Sequence, residues 1–503
     1  CVQTGEVLQK GNFYRDNLRG AKSEYVYISD GKPHVLSPKF TYYGYRYAKV
    51  TGVHHLTLDS FVGVVYYSDV RPVSTMVTGN EKLNQLLSNI RWGQKSNFID
   101  VPTDCPQRDE RMGWTGDSQV FAATACYLTD ACAFYEKYLY DMQKEQSKRS
   151  GCVPDTIPAF YMRGGCCVWG DAATILPWTL YLFYGDVNIL WSAFPSMRAW
   201  VDYIAAVDGD THHWREVFHF GDWLALDHPS GRADEVRGGT DEGFIADAYY
   251  YNSARLVAKA AAVLGDAATE AAYQKRAERI LSDLQQEYFT PTGRCAVDTQ
   301  TAQILTLYFG LTNQPEKAHQ ELMRLLHLRG DKLSTGFVGT PLLCRVLSQV
   351  GEDKMAYHLL HNEEYPGWLY EVNLGATTIW ERWNSLSPDG SVSSTGMNSF
   401  NHYAYGAIGE WMWRTMAGIN PCEEQPGFKR VVLRPVSDAA VKYVTAAYHS
   451  PAGCYRVSWR MEEAGICRFH IEIPFDCTAD LMLPGQKPME LECGKYDFAC
   501  AVG

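Results

Sequence analysis

The chain has 503 residues, 46% of them hydrophobic, which is enough for two or three cored domains. Lys and Arg total 46 against 58 Asp and Glu, and the net charge of -12 argues against nucleic acid or an anionic membrane surface as the main partner. No apolar run is long enough to span a bilayer, and the first residues do not read as a signal peptide.

Residues 1–77 read as strands. "SEYVYIS" (Ser23–Ser29), "YRYAKVTG" (Tyr45–Gly52) and "GVVYYSDV" (Gly63–Val70) alternate with the period of two expected of half-buried strands. They predict part of a β-sandwich ending near Val77. The strands are too few for a closed sandwich and Cys1 is not an initiator Met, so we expect N-terminal sequence to be missing.

From Asn80 the period becomes helical. Leu83, Leu86, Leu87 and Ile90 fall on one stripe. Further helices are predicted over 116–128, 130–147, 171–184, 187–206, 242–263, 267–287, 299–310, 314–328, 340–350, 353–361 and 401–417. Helices in consecutive pairs across 78–418 predict an (α/α)6 barrel; the absence of a repeated sequence unit speaks against a superhelical array. Long loops fall at 98–115, 149–170, 208–241 and 362–400, and structureless loops of such length are usually functional. Residues 419–503 alternate again and predict a C-terminal β-sandwich that caps the barrel. The fold class is mainly α, with a β-sandwich at each end.

Fifteen cysteines are scattered through the chain without a CxxC pair, which argues against zinc and for reduced thiols in a cytoplasmic protein. Fourteen Trp and 32 Tyr fit either a large aromatic core or a carbohydrate site, where indoles meet sugar faces and carboxylates meet hydroxyls.

The long loops carry the chemistry. "DVPTDCPQRDERMGWTGDSQ" (Asp100–Gln119) crowds five acids beside Trp114. Cleavage of a sugar bond uses two carboxyl groups, one to protonate the leaving oxygen and one to attack or to activate water. Burial and nearby negative charge favour the protonated form that an acid needs, which suits Glu110. Asp104 and Asp117 then hold hydroxyls, and Trp114 shields the site. Each acid also has an ordinary reading: Asp104 in a turn, Asp109-Glu110-Arg111 as a solvated charge run, Asp117 in the first turn of a helix. "GATTIWERWNS" (Gly375–Ser385) offers Glu381, flanked by Trp380 and Trp383, as the second carboxylate, or as a surface Glu paired with Arg382. His402 is either a hydroxyl donor or a core histidine. Serine-hydrolase elbows, phosphate loops and zinc-protease motifs are absent. No metal ligand set and no cofactor motif appear.

In chain order, "DVPTDCPQRDERMGWTGDSQ", "WGDA", "GDWL", "GATTIWERW" and "NSFNHYAYGAIGEW" closely resemble the bacterial α-L-rhamnosidases of glycoside hydrolase family 78. The resemblance extends over nearly the whole chain. It implies an (α/α)6 barrel flanked by β-sandwiches, and an inverting enzyme that removes terminal α-L-rhamnose from glycosides or oligosaccharides. It implies Glu110 as general acid and Glu381 as general base, about 6.5–9.5 Å apart. Sugar contacts carried over are Asp104, Arg108, Trp114, Asp117, Trp169, Trp223 and His402; Asp171 and Asp222 lie in matching motifs, and Trp380 adjoins the base. The competing readings are another inverting (α/α)6 glycosidase or phosphorylase, and a non-catalytic rhamnose-binding protein. Aglycone choice falls to rim loops at 149–168 and 227–241, and a homo-oligomer is left open.

Overall fold

The computed structural model describes residues 1–160, 164–209, 211–215, 217–232, 235–393 and 396–502. Parts of the expected rim loops, at 161–163 and 233–234, lie outside the described residues.

Among the described residues, thirteen helices organise the centre: α1 Glu81–Asn97, α2 Thr115–Leu128, α3 Cys132–Ser147, α4 Ala172–Tyr184, α5 Val187–Asp208, α6 Glu242–Leu264, α7 Ala267–Tyr288, α8 Gln300–Phe309, α9 Pro315–Leu328, α10 Thr340–Gln349, α11 Asp353–His361, α12 Trp368–Asn373 and α13 Ile408–Trp411. Local chemistry sets their ends. Asn80 accepts from the Lys82 and Leu83 backbone N–H groups to start α1, and Asp241 and Asp266 cap α6 and α7 in the same way. Gly265, at φ 76°, turns the chain out of α6 through the left-handed region.

Helices α2, α4, α6, α8, α10 and α13 touch in that order, and α13 returns to α2, closing an inner ring. Burial separates this ring from the outer one. Inner α6 buries side chains all round, whereas outer α7 buries only Tyr273, Ala277, Ile280, Leu284 and Tyr288, one seam at helical spacing. Hairpin partners α4 and α5, α6 and α7, α8 and α9, and α10 and α11 pack against each other. This is the six-hairpin barrel that the helical pattern predicts. The helix expected over 401–417 is a composite, with a 3₁₀ turn at Ala404–Ala407, then α13, then a π turn at Met412–Met416. The 362–400 loop also holds a helix that periodicity does not reveal, the short α12.

The β regions differ more from expectation. Only Glu24–Tyr25 and Tyr47–Val50 of the anticipated N-terminal strands form, flanking Val2–Gly5 in a three-stranded sheet. The strand expected at 63–70 is absent: Val64, Val65 and Tyr66 stand exposed, and without a paired neighbour an alternating pattern does not make a strand. Ser74–Thr78, expected to end the first sandwich, instead pairs antiparallel with Tyr443–Ser450 as the edge of the C-terminal five-stranded sheet. That sheet and a second, four-stranded one form the C-terminal sandwich; in the second, Arg430–Leu433 runs parallel to Thr478–Leu481.

Val7 of the N-terminal domain packs with Ala376, Trp380, Leu386 and Phe400 in a separate apolar cluster. Arg46 Nη1 donates to the Gly375 carbonyl at 3.0 Å. The N-terminal domain therefore sits directly on the segment that carries Glu381.

Candidate active site

A cavity of about 510 Å³ opens at the end of the barrel where the inner helices begin. Its walls come from the segments just before α2 (Asp104 to Trp114), α4 (Asp155, Thr156, Trp169), α6 (Phe220, Trp223), α10 (Phe337) and α13 (Glu381, Met397, His402). Asp117, in the first turn of α2, reaches it from the helix itself, where the N-terminal dipole favours a carboxylate.

The first loop is closed by Asp104. Its backbone N–H donates to the Met112 carbonyl at 2.9 Å, and its Oδ1 accepts from the Met112 N–H at 2.8 Å. This tie turns Arg108 inward, where it is fully buried yet fully charge-compensated. Arg108 Nη1 donates to Glu381 Oε2 at 2.9 Å, and Nη2 donates to Glu381 Oε1 at 3.3 Å and to Glu110 Oε2 at 2.8 Å. The two carboxyl groups thus share one guanidinium.

Their surroundings differ. Glu381 is buried and anchored, its Oε2 accepting from the Ser399 N–H at 2.9 Å while its own N–H donates to the Ser399 carbonyl. Burial raises its pKa, but Arg108 and His402 outweigh burial and hold it below the usual carboxylate range. Glu110 lies at the wet edge with its side chain 14% exposed, and its Oε1 accepts from Trp114 Nε1 at 3.1 Å. Burial and the Glu110 charge push Asp104 up to about 7, against the pull of Arg108 and His402. Burial alone would lower the His402 pKa, yet Asp117, whose Oδ1 stands 2.7 Å from Nε2, lifts it to about 9 together with Glu381 and Asp104. His402 is an imidazolium at neutral pH.

The cavity also has an aromatic wall. Phe220 is its hub, with ring centroids 4.5 Å from Trp169, 5.5 Å from Trp223 and 5.8 Å from Trp114. A Cβ on Gly116 would stand 2.6 Å from the Trp169 ring, so only glycine lets that indole seat against α2. The buried Trp169 Nε1 has no partner among the described residues and remains a donor for a ligand. Charged groups and aromatic faces together suit a sugar ring, which offers hydroxyls at its edge and C–H groups on its faces.

Asp104, Cys105 and Glu110 bring ligand atoms within 4.8 Å of one another. Arg108 already supplies the positive charge there, 2.8 Å from Glu110 and 3.9 Å from Asp104, and the Cys105 thiol is pushed well up by burial and Asp104 and donates to Asp104. A protonated thiol beside a fixed guanidinium is a poor metal ligand.

Nine of the twelve residues singled out from sequence meet in the cavity: Asp104, Arg108, Glu110, Trp114, Asp117, Trp169, Trp223, Glu381 and His402. Three do not line it. Asp171 is buried behind Trp169, accepting from the Val168 N–H, Trp200 Nε1 and Ser253 Oγ. Asp222 accepts from Thr301 Oγ1 and from the Gly336, Val338 and Gly339 N–H groups, which fixes the loop that presents Phe337. Trp380 faces the N-terminal domain. Sequence reading missed Phe220, although it immediately precedes the quoted "GDWL" motif, and it missed Phe337 and Arg19. Nothing in the residues around Arg19 signals a site.

Family models for three parts of the bacterial α-L-rhamnosidases match the chain: the concanavalin-like domain over residues 1–67, the six-hairpin glycosidase domain over 71–416 and the C-terminal domain over 418–496. The chain belongs to this family. An α-L-rhamnosidase of Formosa agariphila is 37% identical over 99% of the chain and 54% of its own length. The structure of the Streptomyces avermitilis α-L-rhamnosidase complexed with L-rhamnose superposes with a TM-score of 0.92 at 36% identity, over 99% of this chain and 49% of that one. The Aspergillus terreus α-L-rhamnosidase gives 0.93 at 32% identity, over 99% and 58%. The chain spans about half the length of the curated rhamnosidases it matches. The fold is that of the rhamnosidase family.

Proposed function

We propose that the chain hydrolyses terminal α-L-rhamnosides of small glycosides or oligosaccharides with inversion, with Glu110 as general acid and Glu381 as general base. The observation that carries this reading is that two carboxyl groups from distant segments meet on Arg108 at one sugar-sized cavity, one anchored and ionised, the other at the wet edge. Rhamnosidase homologues, one of them complexed with L-rhamnose, support the substrate class.

Glu381 takes a proton from water, whose oxygen bonds to the anomeric carbon from the face opposite the leaving group. The bond from that carbon to the glycosidic oxygen breaks, and Glu110 gives its proton to the departing oxygen. The products are β-L-rhamnose and the free alcohol; exchange with solvent returns Glu110 to its acid form and Glu381 to its base form. His402 and Trp169 donate to hydroxyls, Asp104 and Asp117 accept from them, and the aromatic wall excludes water.

One oxygen of each carboxyl group lies within 3.3 Å of Arg108 Nη2, so these two oxygens stand closer than the about 6.5–9.5 Å of an inverting pair. On the inverting reading, substrate binding draws Glu110 away from the shared nitrogen to admit sugar and water. The fifteen free thiols support a cytoplasmic, reducing setting. The test is proton NMR of the reaction as it starts. β-L-rhamnose should appear first and equilibrate later; α-L-rhamnose first would exclude inversion, and no release from any rhamnoside would exclude the activity.

A further inference from the structure

Glu110 has a second guanidinium partner, and it comes from another domain. Arg19 follows the 3₁₀ turn Asp16–Leu18 of the N-terminal domain. Its Nη2 stands 2.8 Å from Glu110 Oε2, its Nε donates to Asp109 Oδ1 at 2.7 Å, and the next backbone N–H, of Gly20, donates to Asp109 Oδ2 at 3.1 Å. The Arg19–Gly20 pair therefore grips both carboxylates of the Asp109-Glu110 step. Arg19 also holds φ at 55°, in the left-handed region that costs a non-glycine residue energy, so the surrounding contacts impose this geometry. The side chain is 25% exposed and lines the cavity beside Glu110.

We infer that Arg19 is a positioning residue for the proton donor, so that the N-terminal domain completes the active site. This rests on the proposed roles of Glu110 and Glu381. When Glu110 leaves Arg108 to admit substrate, Arg19 and Trp114 are the partners that keep it aimed at the glycosidic oxygen. Arg108 serves the base in its buried bidentate grip, and Arg19 serves the acid from the solvent side. The same domain reaches the other catalytic segment through Val7 against Trp380, one residue before Glu381. Seating this domain thus sets both carboxyl groups.

The test compares Arg19→Gln, Arg19→Lys and Glu110→Gln, singly and with Arg19→Gln combined with Glu110→Gln, on two rhamnosides: a nitrophenyl one whose leaving group needs little protonation, and an alkyl one that needs it. A misaimed acid predicts about 10²-fold loss of kcat/KM for Arg19→Gln on the alkyl rhamnoside and only a few-fold loss on the nitrophenyl one. Arg19→Lys should recover part of the loss, because an ammonium keeps the charge but not the fork. On the nitrophenyl rhamnoside, which Glu110→Gln still cleaves, Arg19→Gln should cost nothing further in the Glu110→Gln background, because the group it aims is gone. Equal losses on both substrates, or additive losses in the double variant, would overturn the inference, as would an Arg19→Gln variant as active as wild type. A wild type inert on both rhamnosides would overturn the proposed function as well, so the two failures are told apart.

Discussion

The Arg108 guanidinium grips both oxygens of Glu381, with Nη1 at 2.9 Å from one and Nη2 at 3.3 Å from the other. Bidentate pairing of this kind is strong, and it is buried. Its consequence is a carboxylate kept ionised where burial alone would protonate it. Arg108→Met should raise the Glu381 pKa. As the proposed base, Glu381 works only when ionised, so the acid limb of the kcat/KM profile should move to higher pH and activity near neutrality should fall by about 10²- to 10⁴-fold. Leaving buried carboxylates without their cation should also cost about 3–5 kcal/mol of stability, read from urea unfolding. An acid limb that stays in place would show that Arg108 does not set the base.

The two carboxyl groups should respond differently to amide substitution. Glu381→Gln removes the group proposed to activate water, so every rhamnoside should lose about 10²- to 10⁴-fold in kcat. Glu110→Gln should abolish hydrolysis of alkyl rhamnosides yet spare nitrophenyl rhamnosides, whose leaving groups depart without a proton. Normal turnover by Glu381→Gln on any rhamnoside would place the base elsewhere.

His402 ties stability to alkaline pH. Its folded pKa of about 9 lies above the ordinary histidine value of 6.5, because Asp117, Glu381 and Asp104 outweigh its burial. A raised folded pKa gives stability that is fully present below 6.5 and lost as pH rises through about 9. The contribution is on the order of 3 kcal/mol. Wild type should therefore lose Tm between these values more steeply than His402→Gln, which carries no titrating group at that position. Parallel Tm curves for the two proteins over pH 6–10 would refute the shifted imidazolium.

Much of the barrel was legible because helix periodicity is local: the seam of α7 appears at 3.6-residue spacing whatever surrounds it. Charged and aromatic residues in the 98–115 and 362–400 loops fit no such period, which is why Glu110, Glu381 and Trp114 stood out. Facing direction was not legible. Trp380 and Glu381 are adjacent, yet one packs on Val7 and the other enters the cavity, and contacts distant in sequence decide which. Arg19 was out of reach for the same reason, since its partner Glu110 lies 91 residues away. The 63–70 segment failed in the other direction, because alternation describes a strand's faces and not its partner.

Asp171 separates a sugar contact from a structural acid. Its Oδ1 accepts from Trp200 Nε1 at 2.9 Å and Ser253 Oγ at 2.6 Å, and its Oδ2 accepts from the Val168 N–H at 2.7 Å. With both oxygens engaged and the side chain sealed from the cavity, it has nothing left for a hydroxyl. Asp171→Asn replaces one acceptor with a donor that faces other donors, and each unmade buried hydrogen bond costs about 1–3 kcal/mol. Tm should fall while KM for a rhamnoside stays close to wild type. Trp169→Ala, which removes the ring and the unpartnered indole N–H from the cavity wall, should instead raise KM by about tenfold or more. An Asp171→Asn protein with unchanged Tm and a KM raised as far as that of Trp169→Ala would return Asp171 to the sugar, as its motif suggests.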